Sequence, residues 1–315
     1  MASAFLTIGR AYITESFHVP SMPPAGKITV GKANARYPDG SAVNTASALR
    51  KMGVNGYICT RVGEDDYGQA LGRYLEAIGI NTAYLKKDGK AQTGACCSII
   101  ENLGLHRKLL IEGANAKINE YDVERAFGCN PKYVIVNGDV SEECVSRALL
   151  MSVDCGAKVL LSLCSDFSVN IDLQSLCGVE VLVIDALNAK RRTGIAPYDV
   201  PTNLKICSDL SQQIRAEYYI LRCPDGSCFV YDGKYYIVVT TYDIEPLDDT
   251  ASSEAFNVSM FLKYLLTGDM KHACEFGILS EVITAQKFGG AGTIPDLDAM
   301  KKFAKDNQLE EEITV

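Results

Sequence analysis

The hydrophobic positions of the chain follow two alternating periods. Short, largely apolar runs recur at Phe5 to Ile8, YVIV (133–136), KVLLSL (158–163), VEVLVI (179–184) and EYYILR (217–222). Runs this short and this apolar predict strands buried on both faces. Between them the spacing changes to that of a helix. SAVNTASALRKMG stops at Gly53, DDYGQALGRYLEAIG stops at Gly79, and EECVSRALLMSVDCG stops at Gly156. A glycine just past the last periodic residue is a helix stop, because it takes the left-handed conformation that closes the last turn. Strand and helix in alternation predict a mostly parallel sheet with helices on both faces.

Two stretches break this rhythm. From Phe17 to Gly40 the chain is rich in Pro and Gly around a brief alternation at Lys27 to Val30. From Thr93 to Gly113 two alternating segments flank the turn Asn102-Leu103-Gly104. Both predict hairpins outside the main core, a small β lid spanning about 11–37 and 91–112 of a single 1–315 domain. SCFVYDGKYYIVV predicts a further antiparallel hairpin turning at Asp232-Gly233.

The longest patterned stretch is LDDTASSEAFNVSMFLKYLLTG, residues 247–268. Val258, Leu262, Leu265 and Leu266 form one apolar row, and Phe256, Met260 and Tyr264 a second, with Lys263 the only charge after Glu254. Apolar on nearly all sides, it predicts a buried helix. A helix N-terminus presents unpaired N–H groups and about half a positive charge, so the loop before it is a natural phosphate site.

Composition narrows the partners. Net charge is −8, and no basic cluster exceeds Lys190-Arg191-Arg192, so the concentrated positive face that nucleic acid requires is missing. No apolar stretch reaches the roughly 20 residues of a membrane span, and the N-terminus lacks the basic, apolar character of a secretory signal. The twelve cysteines form no C-x-x-C pair and the three histidines lie far apart. They read as small buried thiols of a reducing, cytoplasmic environment rather than metal ligands.

The 247–268 stretch resembles the C-terminal signature of the ribokinase-like (PfkB) carbohydrate kinases, D-T-T-G-A-G-D-A-F. Asp248, Thr250, Ala255 and Phe256 match; Ala251, Ser252 and Ser253 replace Gly-Ala-Gly, and Glu254 replaces the catalytic Asp. RVGEDDYGQALGRYLEAIGINT and EGANAKI are similar to two further family segments, and GTIPDLDAMKKFAK resembles its closing tail, so the likeness runs nearly end to end. It implies a three-layer α/β sandwich with a β lid, often paired across a homodimer; Val30, Cys96, Ser98 and Ile100 are candidates for such a face. It also implies a sugar or nucleoside substrate, with ATP and Mg²⁺ as cofactors and a monovalent cation near Asp248.

The same resemblance assigns roles. Gly40 and Asn44 match the sugar-binding Gly-Gly-x-x-x-Asn, with Asp39 in place of the first Gly; Asn44 alternatively satisfies the start of its helix. Thr14 stands where the family has an Asp that accepts sugar hydroxyls, a loss of about 1.5–3 kcal/mol if uncompensated. Asp139 reads either as a replacement acceptor or as an exposed turn residue. Asp185 and Asn188 fall on Asn-x-x-Glu, which arranges Mg²⁺ and water, with the charge moved to the first position. Cys223 replaces a nucleotide-loop glycine, and Arg222 before it either contacts phosphate or lies exposed. Thr250, Ala251, Ser252 and Ser253 correspond to the anion hole, where losing one donor costs roughly 2.7–4 kcal/mol. Glu254 corresponds to the base, its carboxylate moved about an ångström, a displacement that can cost on the order of a hundredfold in rate.

Two readings are open. In one, Glu254 deprotonates a sugar hydroxymethyl group that attacks the γ-phosphate of ATP. In the other, the chain is a catalytically inactive descendant that binds a ligand or a partner.

Overall fold

A computed structural model describes residues 4–101, 106–164, 178–242, 244, 246–307, 309 and 314. Its strands are β1 (Phe5–Ile8), β2 (Tyr12–Val19), β3 (Ala33–Asp39), β4 (Gly56–Gly63), β5 (Leu85–Asp88), β6 (Gly94–Glu101), β7 (His106–Ile111), β8 (Tyr133–Asn137), β9 (Lys158–Leu163), β10 (Val179–Asp185), β11 (Ala216–Arg222), β12 (Cys228–Tyr231) and β13 (Tyr236–Val239). The helices are α1 (Ser41–Lys51), α2 (Asp66–Ala77), α3 (Glu120–Ala126), α4 (Glu142–Cys155), α5 (Ala186–Thr193), α6 (Val200–Gln213), α7 (Ser252–Thr267), α8 (Met270–Ala285) and α9 (Leu297–Asp306).

Nine strands form the main sheet in the order β13-β12-β11-β10-β9-β8-β1-β4-β5. The pairs from β11 to β5 are parallel, and β12 and β13 at one edge run antiparallel to their neighbours. The apolar runs are buried on both sides, as alternate residues of β10 illustrate. Val181 and Val183 pack into the core under α7 and α8, while Leu182 and Ile184 pack into the core under α4 and α6. This is the three-layer α/β architecture the sequence pattern predicts.

Helix α7 is the keel of one layer. Phe256 and Phe261 are fully buried in it, against Phe276 of α8, each such ring contributing about 1.5–3 kcal/mol of burial. Even Lys263 is buried, its ammonium reaching the Thr314 carbonyl at 3.2 Å. The expected apolar sheath stops short of the last turn, where Leu266 is exposed.

A second sheet of four strands, β3-β2-β6-β7, stands off the first. The second expected hairpin is there as β6 and β7, paired antiparallel, but the first departs from its expected outline. Strand β2 pairs with β3, and Lys27 to Val30 lie outside any strand with Ile28 and Val30 exposed. The segment is too rich in Pro and Gly to hold a ladder. The Asn102-Leu103-Gly104 turn lies outside the described residues. Of the residues expected on a pairing face, Val30 is exposed, but Cys96, Ser98 and Ile100 are buried within the chain itself. Period-two alternation turns that side of β6 inward, so they do not form an outer face. Among the described residues no helix is long and apolar enough to cross a membrane, and the described cysteines are free thiols.

Candidate active site

The parallel strands end together, and the segments just beyond them converge. Asp139 comes two residues after β8, Cys164 directly succeeds β9, and Asp185 is the last residue of β10. All three line a cavity of about 350 Å³. Carboxyl ends of parallel strands are where such folds gather ligands, because the connecting loops are free to carry side chains there. The small sheet supplies Tyr12, Asp39 and Lys108 to the same cavity, α1 supplies Ser41 and Asn44, and the loop into α7 supplies Asp249, Thr250, Ala251, Ser253 and Glu254.

Asp39 is locked in place. Gly40, with φ of 106°, turns the chain from β3 into α1, and a Cβ there would lie 2.6 Å from the Arg10 carbonyl oxygen. Only glycine accommodates both. The Asp39 carboxylate accepts the Gly40 N–H at 2.7 Å and the Asn44 side-chain N–H at 2.8 Å through Oδ1, and the Thr14 hydroxyl at 2.6 Å through Oδ2. Thr14 is therefore not a wall of the cavity: it is buried, and its hydroxyl is committed to Asp39. The charge beside position 14 is that of Asp39, and Thr14 orients it. Asn44 binds this carboxylate instead of capping its helix, and its Oδ1 is buried without a partner among the described residues.

Asp139 is 4% exposed, which overturns its reading as an exposed turn residue. Its Oδ1 has no hydrogen-bond partner among the described residues, and burial raises its carboxyl above the usual range, with Ser41 and Arg10 pulling the other way. Glu254, in the first turn of α7, is raised to about 7 by burial and by the charges of Asp39 and Asp139. Lys108 is the cation among the cavity's lining side chains. Burial alone would lower its ammonium, but Asp249, Asp39 and Asp248 outweigh that and hold it raised.

The loop before α7 keeps a glycine-like path without its glycines. Ala251 sits at φ 68°, ψ 0°, in the left-handed region, and its carbonyl accepts the Ala255 N–H at 3.0 Å to open the helix. Replacing glycine there has not unmade the turn; it has added strain of about 1–2 kcal/mol. Ala251→Gly is thus expected to raise the thermal unfolding midpoint by roughly 2 °C, readable by scanning calorimetry. Ser253 is exposed at the cavity, whereas the buried Ser252 is not among its lining residues and has an unpartnered hydroxyl. Asp248 is 1% exposed; its Oδ1 accepts the Thr250 N–H at 2.9 Å and its Oδ2 has no partner among the described residues.

Two expected nucleotide-side residues are placed differently. Asn188 does not line the cavity but donates its side-chain N–H to both oxygens of Asp185 at 3.0 Å, so Asp185 is the one presented. Arg222 is neither exposed nor in this cavity. Its guanidinium pairs with Glu281 at 2.5 Å and lies 4.1 Å from the Phe256 ring centre. With Gly226, Tyr242, Pro246, Glu281 and Val282 it lines a neighbouring cavity of about 470 Å³. Asp185 and Arg222 are register partners on β10 and β11, so the two cavities flank one strand pair. The Cys223 side chain accepts from Asn203 at 3.5 Å and lines neither of them.

Tyr12, Ser41, Lys108, Cys164 and Asp249 are site residues the sequence did not single out. In HRKLLI, strand period places His106 and Lys108 on one side, but nothing in the sequence tells which side faces in.

Comparison with known proteins places this geometry. The pfkB family carbohydrate kinase profile matches residues 6–297. Similar curated proteins include a Salmonella typhi deoxyribokinase, 20% identical over 96% of this chain and 98% of that one, and a Schizosaccharomyces pombe ribokinase, 27% identical over 75% of each. Among solved structures, Arabidopsis thaliana ribokinase complexed with ribose and ATP superposes with a TM-score of 0.83 at 16% identity, covering 97% of this chain and 99% of that one. Giardia lamblia ribokinase superposes at 0.85 with 15% identity, covering 96% and 100%. The chain belongs to the pfkB family of carbohydrate kinases.

Proposed function

We propose that the chain transfers the γ-phosphate of ATP to the hydroxymethyl group of a small sugar or nucleoside. The observation that carries this is Glu254, a carboxyl group raised to about 7 at the mouth of a buried helix and lining a polar cavity. A base poised near neutrality is half ionised when it must accept a proton, which favours general-base catalysis. Glu254 takes the proton from the attacking hydroxyl. The first-turn N–H groups of α7 face the negative charge that develops on the transferred group, without having to reorganise. Asp39 and Asn44 read the sugar hydroxyls, with Asp39 supplying the charge that Thr14 cannot. Lys108 brings a positive charge from the small sheet, which acts as a lid.

The second cavity, beside Arg222, is where the nucleoside end of ATP fits. Two carboxylates would hold the cations: Asp185 would take Mg²⁺, and Asp248, whose buried Oδ2 has no partner among the described residues, would take a monovalent ion. Mg²⁺, when bound, neutralises charge on the β- and γ-phosphates. Pairing of two copies through the lid would use its outward side chains Leu109 and Ile111, both exposed. Thr14, Ala251 and Asn188 look like losses one at a time, yet each is offset locally, which favours an active kinase.

The test is ADP release with Mg·ATP across pentoses, deoxypentoses and nucleosides, together with thermal unfolding in Mg·ATP. Turnover of at least one acceptor is expected, and stabilisation by about 2.7 kcal/mol at a hundredfold excess over the dissociation constant. Neither stabilisation nor turnover above background would leave the inactive-descendant reading standing.

A further inference from the structure

One cluster of side chains stands apart from the phosphoryl-transfer chemistry. Strand β7 opens with His106, whose alternation with Lys108 turns both inward, toward the loop before α7. His106 Nδ1 lies 4.0 Å from Asp248 Oδ1 and 3.9 Å from Asp249 Oδ1. These separations are too long for hydrogen bonds, which close at about 2.7–3.2 Å. One donor atom from each of the three residues lies within 4.8 Å of the others.

One further observation points to a ligand. His106 Nδ1 is itself buried and has no hydrogen-bond partner among the described residues. Asp248, 1% exposed, faces it through Oδ1, which accepts the Thr250 N–H at 2.9 Å and keeps a lone pair for a cation. Leaving a buried donor or acceptor such as His106 Nδ1 unsatisfied costs about 1–3 kcal/mol. An ion with ligand bonds of roughly 2.0–2.2 Å would satisfy it once the three side chains close in.

We infer that His106, Asp248 and Asp249 form a site for a nitrogen-seeking divalent cation, with Zn²⁺ the representative, that clasps strand β7 to the loop leading into α7. An imidazole nitrogen with two carboxylates suits Zn²⁺, Co²⁺ or Ni²⁺; K⁺ and Mg²⁺ prefer oxygen shells and gain little from His106. Three protein ligands leave the fourth tetrahedral position open. Asp249 and Lys108 both line the main cavity, so an ion here holds the small sheet over its mouth. Lys108, 3.6 Å from Asp249 Oδ1, is the competing cation; its side chain is 43% exposed and has room to swing aside. The inference does not depend on the kinase reading, because binding is read directly.

The experiment uses the full chain stripped with a chelator and titrated with ZnCl₂ against a metallochromic dye, in buffer with excess K⁺ and Mg²⁺. One Zn²⁺ per chain is expected at micromolar affinity or tighter, with a raised thermal midpoint. His106→Ala is expected to weaken it by about a hundredfold. Asp249→Asn, at a side chain 72% exposed and so harmless to folding, is expected to weaken it at least about tenfold. His272→Ala, at the exposed His272–Asp269 pair, should leave it unchanged. Zn²⁺ affinity that is the same in His106→Ala and Asp249→Asn as in the parent would overturn the site. So would loss of Zn²⁺ in His272→Ala, or displacement by K⁺ to the same extent in parent and His106→Ala, which would mean an ion held by Asp248 alone.

Discussion

Glu254→Gln should lower kcat by about a thousandfold while leaving the thermal stabilisation by Mg·ATP in place, since general-base catalysis is worth roughly 10²–10⁴. The amide keeps the volume and removes the proton acceptor. Glu254→Asp separates reach from basicity: both carboxylates have similar intrinsic acidity, so any change reports position. The parent's pH profile carries a second signature. Only the ionised form of Glu254 accepts a proton, so kcat should rise with pH through about 7 and level off above it. In Glu254→Gln that limb should vanish. A profile limb that persists in Glu254→Gln would assign the titration, and the base, to another group.

Stability runs the opposite way. The carboxyl of Glu254 holds its proton more tightly in the folded chain, at about 7, than at its ordinary 4.5. Between those values the native state binds more protons than the unfolded one, so stability falls as pH rises. The contribution is complete below about 4.5 and gone above about 7, on the order of 3 kcal/mol. Calorimetric midpoints of parent and Glu254→Gln should therefore diverge with increasing pH, the glutamine form becoming the more stable. Catalytic readiness is reached at the cost of a buried charge.

Asp39→Asn is the second large effect. It removes the charge that sugar hydroxyls would meet and one of the acceptors that Thr14, Gly40 and Asn44 converge on. A charge-assisted hydrogen bond is worth about 1.5–3 kcal/mol, so KM for the sugar should rise by roughly 10–100-fold. Because Asp39 also raises the Glu254 carboxyl, the rising limb of the pH profile should move to lower pH in the same variant. A merely structural role for Asp39 predicts lost stability with neither an altered sugar KM nor a shifted profile. Measuring kcat and KM across pH separates the two.

The fold was legible because its signals are redundant. The run VEVLVI reads as a doubly buried strand from composition alone, and Val181 and Leu182 do turn to opposite cores. The site was legible as positions, less so as interactions. Asp39, Asn44 and Glu254 do share one cavity, but Thr14 and Asn188 are supports for neighbouring carboxylates rather than walls. Comparison position by position scores each substitution as a loss, and cannot register a carboxylate supplied by the adjacent strand. The reading of Arg222 as exposed failed for a similar reason: its partner Glu281 is 59 residues away, and only packing brings them together. Lys27 to Val30 misled through a local alternation with no partner strand, since pairing, not pattern, makes a sheet.

What marks the turn before α7 is a torsion angle rather than a letter. Ala251 occupies a conformation that its own chemistry disfavours, which means the surrounding packing, not the residue, dictates the path of that peptide. Geometry fixed from outside tolerates drift in the residue it constrains. Counting glycines in this loop therefore misses the turn, and the backbone dihedrals reveal it.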